Sequence, residues 1–249
     1  MIRLENITKI FNKGEANEVS ALKNISFEAG AQEFVVLVGG NGSGKSTLLN
    51  IISGKIISDA GKIFLDNKDV TNLKEHERSK WIARIFQDPL IGTAPDLSIL
   101  ENFRLAWLRT QKKKFTIGTG KIFQDEVKEK ISMLGLGLEN NLVRPMSSLS
   151  GGQRQALTLV MAVMAEARII LLDEPASALD PKTAALVMQS AEKIIREFNL
   201  TAILVTHNLK DALTHGDRII QMDDGVIIRD ISGKEKTALN AGEVVEWFG

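Results

Sequence analysis

The sequence predicts an α/β fold with a mainly parallel central sheet, an antiparallel β part and an inserted helical segment. Three observations carry that expectation. Short β-type segments recur with helical patterns between them, two of those segments are continuously apolar, and the strand signal vanishes between about residues 88 and 165. The expected strands are 2–7, 25–28, 34–38, 62–65, 85–87, 169–172, 202–205, 218–222 and 226–229. The first and last pairs alternate in polarity and are assigned to the antiparallel part. Segments 34–38 and 169–172 are apolar throughout and belong at the centre, where both faces of the sheet are covered. Between the last two strands, Met222-Asp223-Asp224-Gly225-Val226 reads as a hairpin turn, because Asp and Gly tolerate positive φ. Helical periodicity marks 99–108, 122–134 and 153–164. The chain is read as one domain, 1–249, with an α/β core over 1–87 and 166–249 and a helical subdomain over 88–165. The stretch 109–119, centred on Lys112-Lys113-Lys114, is read as a solvated loop, the alternative being a nucleic-acid or lipid contact. Residues 244–248 form a small amphipathic piece, too short for a domain of its own.

Composition narrows the function classes. A chain of 249 residues buries roughly three quarters of its unfolded surface and builds a large core without disulfides. There are no cysteines, so a thiolate metal site is excluded, and a reducing compartment is compatible. Lys+Arg and Asp+Glu stand at 31 each, which offers no basic excess for tracking nucleic-acid phosphates. No stretch approaches the roughly 20 apolar residues that span a bilayer, and Met1-Ile2-Arg3-Leu4-Glu5-Asn6 is not read as a signal peptide. A membrane role is therefore expected to run through a partner.

The most specific local pattern is Gly39-Gly40-Asn41-Gly42-Ser43-Gly44-Lys45-Ser46-Thr47, directly after the apolar strand 34–38 and before the apolar helix residues Leu48, Leu49, Ile51 and Ile52. The spacing is G-x-x-x-x-G-K-[ST]. Glycines let consecutive backbone N–H groups converge on phosphate oxygens, Lys45 neutralises β/γ-phosphate charge, and Ser46 ligates Mg²⁺. The helix N-terminus adds its free N–H groups and the positive end of its dipole. The chain is expected to bind a nucleoside triphosphate.

Two carboxylates, Asp173 and Glu174, close the buried segment 169–172. In a parallel sheet, ligands sit at the carboxyl ends of strands. Asp173 is read as the outer-shell Mg²⁺ partner and Glu174 as the group that polarises the water attacking the γ-phosphate. His207, after strand 202–205, is placed to donate to the γ-phosphate or that water, and Gln87 to reach Mg²⁺ and the water through its side-chain oxygen. His76 and His215 are read as helix-surface residues.

Leu149-Ser150-Gly151-Gly152-Gln153 opens a further helix and supplies a second set of free N–H groups, hence a second anion site. With the phosphate loop, Gln87, the 169–174 strand, Ser177-Ala178-Leu179-Asp180 and His207 in this order, the chain resembles the ATP-binding cassette proteins over essentially its whole length. The resemblance implies a P-loop NTPase cassette fold, ATP and Mg²⁺ as cofactors, and ATP hydrolysis. It implies a head-to-tail dimer, in which Ser150, Gly151, Gly152 and Gln153 of one subunit close over the nucleotide held by residues 39–47 of the other. Asp180 belongs to the D-loop of that interface. Phe11 matches the aromatic that stacks on adenine, with core packing as the alternative reading. None of these functional positions is degenerate, so both sites of a homodimer are expected to be active.

Among cassette proteins, a single soluble cassette is similar to the ATPase subunits of importers. This implies integral membrane permease subunits as partners, a substrate-binding protein acting indirectly, and a peripheral place on the cytoplasmic face of the membrane. Residues 88–105 would wall the groove that receives a coupling helix. Local texture at 149–162, 182–184 and 206–212 resembles a bacterial subgroup that accompanies amino-acid-type binding proteins. The alternative is a soluble cassette ATPase acting on ribosomes or DNA; the single cassette, the short span between Gln87 and Leu149 and the neutral charge weigh against it and against a nucleic-acid partner. A nucleotide kinase would have no use for residues 149–153.

Overall fold

The computed structural model describes residues 1–111, 118–164, 166–245 and 247. The lysine run 112–114 and Glu246 and Phe248 of the tail lie outside the described residues. In chain order the strands are β1 (Ile2–Phe11), β2 (Val19–Ala29), β3 (Phe34–Val38), β4 (Ala60–Leu65), β5 (Lys68–Asp69), β6 (Ile82–Ile85), β7 (Ile169–Asp173), β8 (Thr201–Val205), β9 (Arg218–Asp223) and β10 (Val226–Ser232). The helices are α1 (Lys45–Ser53), α2 (Glu75–Arg78), α3 (Ile99–Trp107), α4 (Lys121–Ser132), α5 (Gly151–Met164), α6 (Pro181–Glu197), α7 (Leu209–Thr214), α8 (Gly233–Ala238) and α9 (Ala241–Val245). No helix among the described residues is long and apolar enough to cross a membrane.

Two sheets result. One is antiparallel, in the order β2-β1-β4-β5; the other runs β10-β9-β3-β8-β7-β6, parallel except for the β9–β10 hairpin. The pairing of β1 with β2 and β4 matches the expected antiparallel part. The last pair is antiparallel as expected, but it lies on the central sheet and not in the antiparallel part, because β9 also pairs in parallel with β3. Ile219, Ile220 and Met222 are all fully buried, the mark of a strand covered on both faces. The hairpin turn forms where expected, with Asp224 at φ 42° and Gly225 at φ 77°. The strand expected at 85–87 lies instead at Ile82–Ile85. Arg84 interrupts the apolar run there, and Gln87 falls in a bend beyond the strand.

The alternation of strand side chains separates two cores. Phe34, Val36 and Val38 of β3 face a cluster that includes Phe103 of α3, Leu157 and Val160 of α5, and Val187 and Ile194 of α6. Val35 and Leu37 face the opposite cluster, with Leu48, Leu49, Ile51 and Ile52 of α1 and the inner face of the antiparallel sheet. A one-residue slip of β3 would exchange the two sets, so its register is fixed. That register determines where the loop after Val38 emerges.

Two polar residues are buried in this frame, one of them, His215, read as a surface group from sequence alone. His215 is only 7% exposed, not on a helix surface: it ends α7 with Nδ1 2.6 Å from Glu192 Oε2 on α6, and its carbonyl accepts from the buried Lys236 ammonium. Its ring closes the seam between two helices. His76 does lie exposed on α2. Arg78 is fully buried and spreads its guanidinium over four carbonyls, those of Ile51 (2.7 Å), Ile52 (2.9 Å), Leu73 (2.9 Å) and Thr71 (2.9 Å). It caps the C-terminal end of α1 and favours that end of the helix dipole. Burial pushes its pKa down to about 10. Arg78→Met leaves these carbonyls without their donors and is expected to destabilise the fold by roughly 2–4 kcal/mol. A urea-unfolding midpoint equal to the parent's would remove Arg78 from this role.

Candidate active site

The phosphate-loop pattern lies where β3 turns into α1. Gly39 runs at φ 142°, and a Cβ there would stand 2.1 Å from the Met222 carbonyl oxygen, so only glycine lets the loop pass that close to β9. The loop is also held from outside, since Gly225 N–H in the β9–β10 turn donates to Ser43 O at 3.2 Å. Lys45 folds back over its own loop, donating to Gly39 O at 2.7 Å, Gly40 O at 2.8 Å and Ser43 Oγ at 3.1 Å. Burial lowers the pKa of this ammonium, against the pull of Glu174 and Asp173, which raise it. The two carboxylates therefore lie at the same end of the sheet as the lysine and close enough to act on its charge. Ser46 is exposed at the start of α1.

The carboxyl ends of the neighbouring strands close around this loop. Parallel pairing places Leu37 beside Val205 and Val205 beside Asp173, while Glu174 N–H donates to Val205 O at 3.0 Å and Thr206 N–H to Leu37 O at 3.3 Å. Glu174 sits at φ 49°, a left-handed conformation that a glutamate adopts only where its surroundings hold it there. The turn aims its side chain away from that of Asp173 and onto His207, whose Nδ1 lies 2.9 Å from Glu174 Oε2. Asp173 is engaged differently, with Arg84 Nη2 donating to its Oδ2 at 2.6 Å. Ser46, Gln87 and Asp173 supply hard oxygen donors, few in number. Such a set fits Mg²⁺, which keeps waters and substrate phosphates in its shell and needs no all-protein cage.

The serine-glycine segment opens α5 as expected, but the helix begins two residues earlier than its apolar periodicity suggested. A reciprocal capping box sets the start: Gln153 N–H donates to Ser150 Oγ at 3.2 Å, and Ser150 N–H to Gln153 Oε1 at 3.1 Å. Gly152 is buried against α6, where a Cβ would meet Thr183 Cγ2 at 2.0 Å. Any side chain at that position forces Thr183 to move. No hydrogen bond among the described residues joins Ser150, Gly151 or Gly152 to residues 39–47.

The remaining expected residues are spread around this centre. Asp180 accepts from Lys182 N–H at 3.2 Å and Thr183 N–H at 3.1 Å and so caps α6 within its own chain. Hydrogen bonding to Thr183 holds its carboxyl below the ordinary range. Phe11 ends β1, half-buried, with the Lys9 ammonium 5.5 Å from its ring centroid. Gln87 is exposed in its bend. Sequence reasoning passed over three supports. Arg154 is buried and donates to the carbonyls of Met146, Ser147 and Leu149, which shapes the approach to Ser150. Gln155, 1% exposed, donates to Phe86 O at 2.8 Å and so ties α5 to the residue before Gln87. Arg84 joins Asp173 to Asn50 of α1. A charged or amide residue inside an otherwise apolar strand or helix was the available signal for all three.

Comparison with known proteins gives consistent results. A family model described as "ABC transporter" matches residues 22–177. A tyrosine transport ATP-binding protein of Clostridioides difficile (strain R20291) is 42% identical over 100% of this chain and 98% of its own length. Among solved structures, the ATP-binding cassette MJ0796, as a dimer in a post-hydrolysis state with ADP and Pi, is 33% identical with a TM-score of 0.78 over 93% of this chain and 98% of that one. The ADP conformation of the cassette MJ1267 is 26% identical with a TM-score of 0.81 over 99% of this chain and 94% of that one.

The geometry of the loop generates one test of its own. Lys45→Ala removes the ammonium around which residues 39–43 are folded, and ATP affinity is expected to fall by about tenfold or more, the worth of at least one charge-assisted hydrogen bond. Titration of a fluorescent ATP analogue measures this, and unchanged affinity would contradict the loop's assignment.

Proposed function

This chain belongs to the ABC transporter family and is an ATP-hydrolysing transporter cassette, and we propose that two copies of it drive import of an amino acid through separate membrane-spanning subunits. The observation that carries the dimeric part of this reading is the second helix N-terminus, at Ser150, unconnected within the chain to residues 39–47. A γ-phosphate bound on the loop of one copy would be completed by the Gly151 and Gly152 N–H groups and the Ser150 hydroxyl of the other, the Ser150 N–H being taken by Gln153 Oε1. The dimeric form in which the MJ0796 cassette was solved supports that arrangement.

Each residue then has a role that its position suits. Lys45 neutralises phosphate charge, and Phe11 stacks on the base. Ser46, Gln87 and Asp173 would hold Mg²⁺, which when bound neutralises the β- and γ-phosphate oxygens. Glu174 accepts a proton from the attacking water. His207, 2.9 Å from Glu174, holds that carboxylate in place and donates toward the γ-phosphate. Asp180 fixes the N-terminus of α6 against the opposing copy.

The membrane-facing part is proposed to be the groove beside β6, of about 450 Å³, lined by Ile82, Ile91, Thr93, Ala94, Leu105 and Met161 among others. Ile91 and Leu105, which line it, are 52% and 49% exposed, and Leu90 beside them is 46% exposed, which leaves apolar surface there for a partner to cover. A coupling helix from a permease would cover it, and the 88–165 segment would move with that helix when the cassettes close. This placement puts the chain on the cytoplasmic face of the membrane. The named relative points to tyrosine as the first cargo to test, with a substrate-binding protein delivering it.

Glu174→Gln is expected to leave ATP binding intact, to trap a dimer on size-exclusion chromatography and to lower turnover by roughly 10²–10⁴-fold, the usual worth of a positioned base. Near-normal hydrolysis would remove Glu174 from its role. Turnover per subunit of the parent chain is expected to rise with protein concentration; a constant value across a range shown to be monomeric argues against the shared site. The cargo is tested by isolating the integral membrane protein that co-purifies with this chain and measuring whether tyrosine, with its binding protein, stimulates the ATPase of that complex. Co-purification with ribosomal subunits instead would overturn the transport reading.

A further inference from the structure

Arg84 stands at the third position of β6, where the parallel register sets it beside Leu171 of β7. Its side chain is 8% exposed. Nη2 donates to Asp173 Oδ2 and Nη1 to Asn50 Oδ1, each at 2.6 Å, and the Phe86 ring centroid lies 4.8 Å from the guanidinium carbon. The third group, Nε–H, is buried with no partner among the described residues. Asn50 follows Ser46 by four residues on α1, hence one turn along the same face. One cation thus fastens the helix that starts at Lys45 and Ser46 to the carboxylate that ends β7, three positions before Gln87.

Stability alone is a poor reason for this arrangement. A buried ion pair with an orphaned N–H gives no more than a well-packed apolar pair of the same volume, and β6 is already held to β7 by its ladder. A forked, planar cation does what an apolar contact cannot, since it fixes two oxygens of two different elements at a set separation.

We infer that Arg84 is a positioning residue for the Mg²⁺ site. By occupying Oδ2 it sets the rotation of the Asp173 carboxylate and leaves Oδ1 to the water shell of the ion. Through Asn50 it sets the separation of that carboxylate from the Ser46 hydroxyl. The inference rests on the reading of Asp173 and Ser46 as Mg²⁺ residues.

The test uses the full chain and a fluorescent ATP analogue, titrated in EDTA and then in rising Mg²⁺. Arg84→Met is expected to raise the Mg²⁺ concentration at half-saturation by about 10- to 100-fold, the usual effect of losing a group that orients a metal's ligands, with affinity in EDTA changed by less than about twofold. Arg84→Lys keeps the charge without the fork and should recover part of the loss. An unchanged Mg²⁺ requirement in folded Arg84→Met, or an equal loss of affinity with and without Mg²⁺, overturns the inference. Should Arg84→Met fail to fold, Asn50→Ala removes only one arm and must still raise the Mg²⁺ requirement; no change there overturns it equally. Asp173→Ala separates the two readings, because if that variant leaves the Mg²⁺ requirement untouched, it is the assignment of Asp173 that has failed.

Discussion

Three parallel strand ends held in one row, those of β3, β8 and β7, are the constraint on which the other features of the site depend. Their pairing sets Leu37, Val205 and Asp173 side by side, and the amides of Thr206 and Glu174 extend the ladder one step past the strands. Both faces of this sheet are buried in separate apolar clusters, so a strand that slipped by one residue would exchange its two sets of side chains and disrupt the packing of both. The phosphate loop, the two carboxylates and His207 are thereby delivered to one end of the sheet by strand pairing and apolar packing together. The chemistry then needs only short local turns. The left-handed backbone of Glu174 is the sharpest of these, and it separates the directions of two adjacent carboxylates that would otherwise repel each other in one small space.

Much of this was legible in the sequence, for a physical reason. The loop at 39–47, the carboxylates after 169–172 and the serine-glycine segment at 149–153 are each complete within a few residues, so composition and spacing specify them, although the capping box that starts α5 emerged only with the structure. Elements whose apolar pattern is unbroken, such as β3 and α3, fall where the pattern placed them. What escaped was held by partners remote in the chain. Arg78 carries no signal until the end of α1 and the β5–α2 connection are brought to it, and His215 reads as a surface residue until Glu192 and Lys236 meet it. Arg84 concealed β6 for the same reason, since a charge inside a strand breaks the apolar run and its justification lies 89 residues away at Asp173. The two-residue β5 carries too short a pattern to be seen.

The helical segment and the sheet are less separate than a division at residues 88 and 165 implies. α5 packs along α6 and contributes a continuous row of buried residues to the larger core, while its N-terminus holds Ser150. Gln155 joins the same helix to the carbonyl of Phe86, immediately before Gln87. A displacement of the 88–94 wall therefore meets resistance from the helix that carries the serine-glycine segment. The two regions that a permease and an opposing copy would touch are linked by the Gln155 bond and by backbone hydrogen bonds from Met146 to Leu97 and from Ser147 to Pro95, just ahead of Ser150.

Lys45 shows what such a site asks of the rest of the molecule. Its ammonium is buried and donates to three acceptors of its own loop. Burying a charge costs free energy, and those three bonds offset part of it. The loop is thus folded around the same cation that a phosphate would meet, so the fold and the ligand share one group. A ligand that binds only the folded chain also stabilises it, and ATP would in this way hold together the loop that receives it.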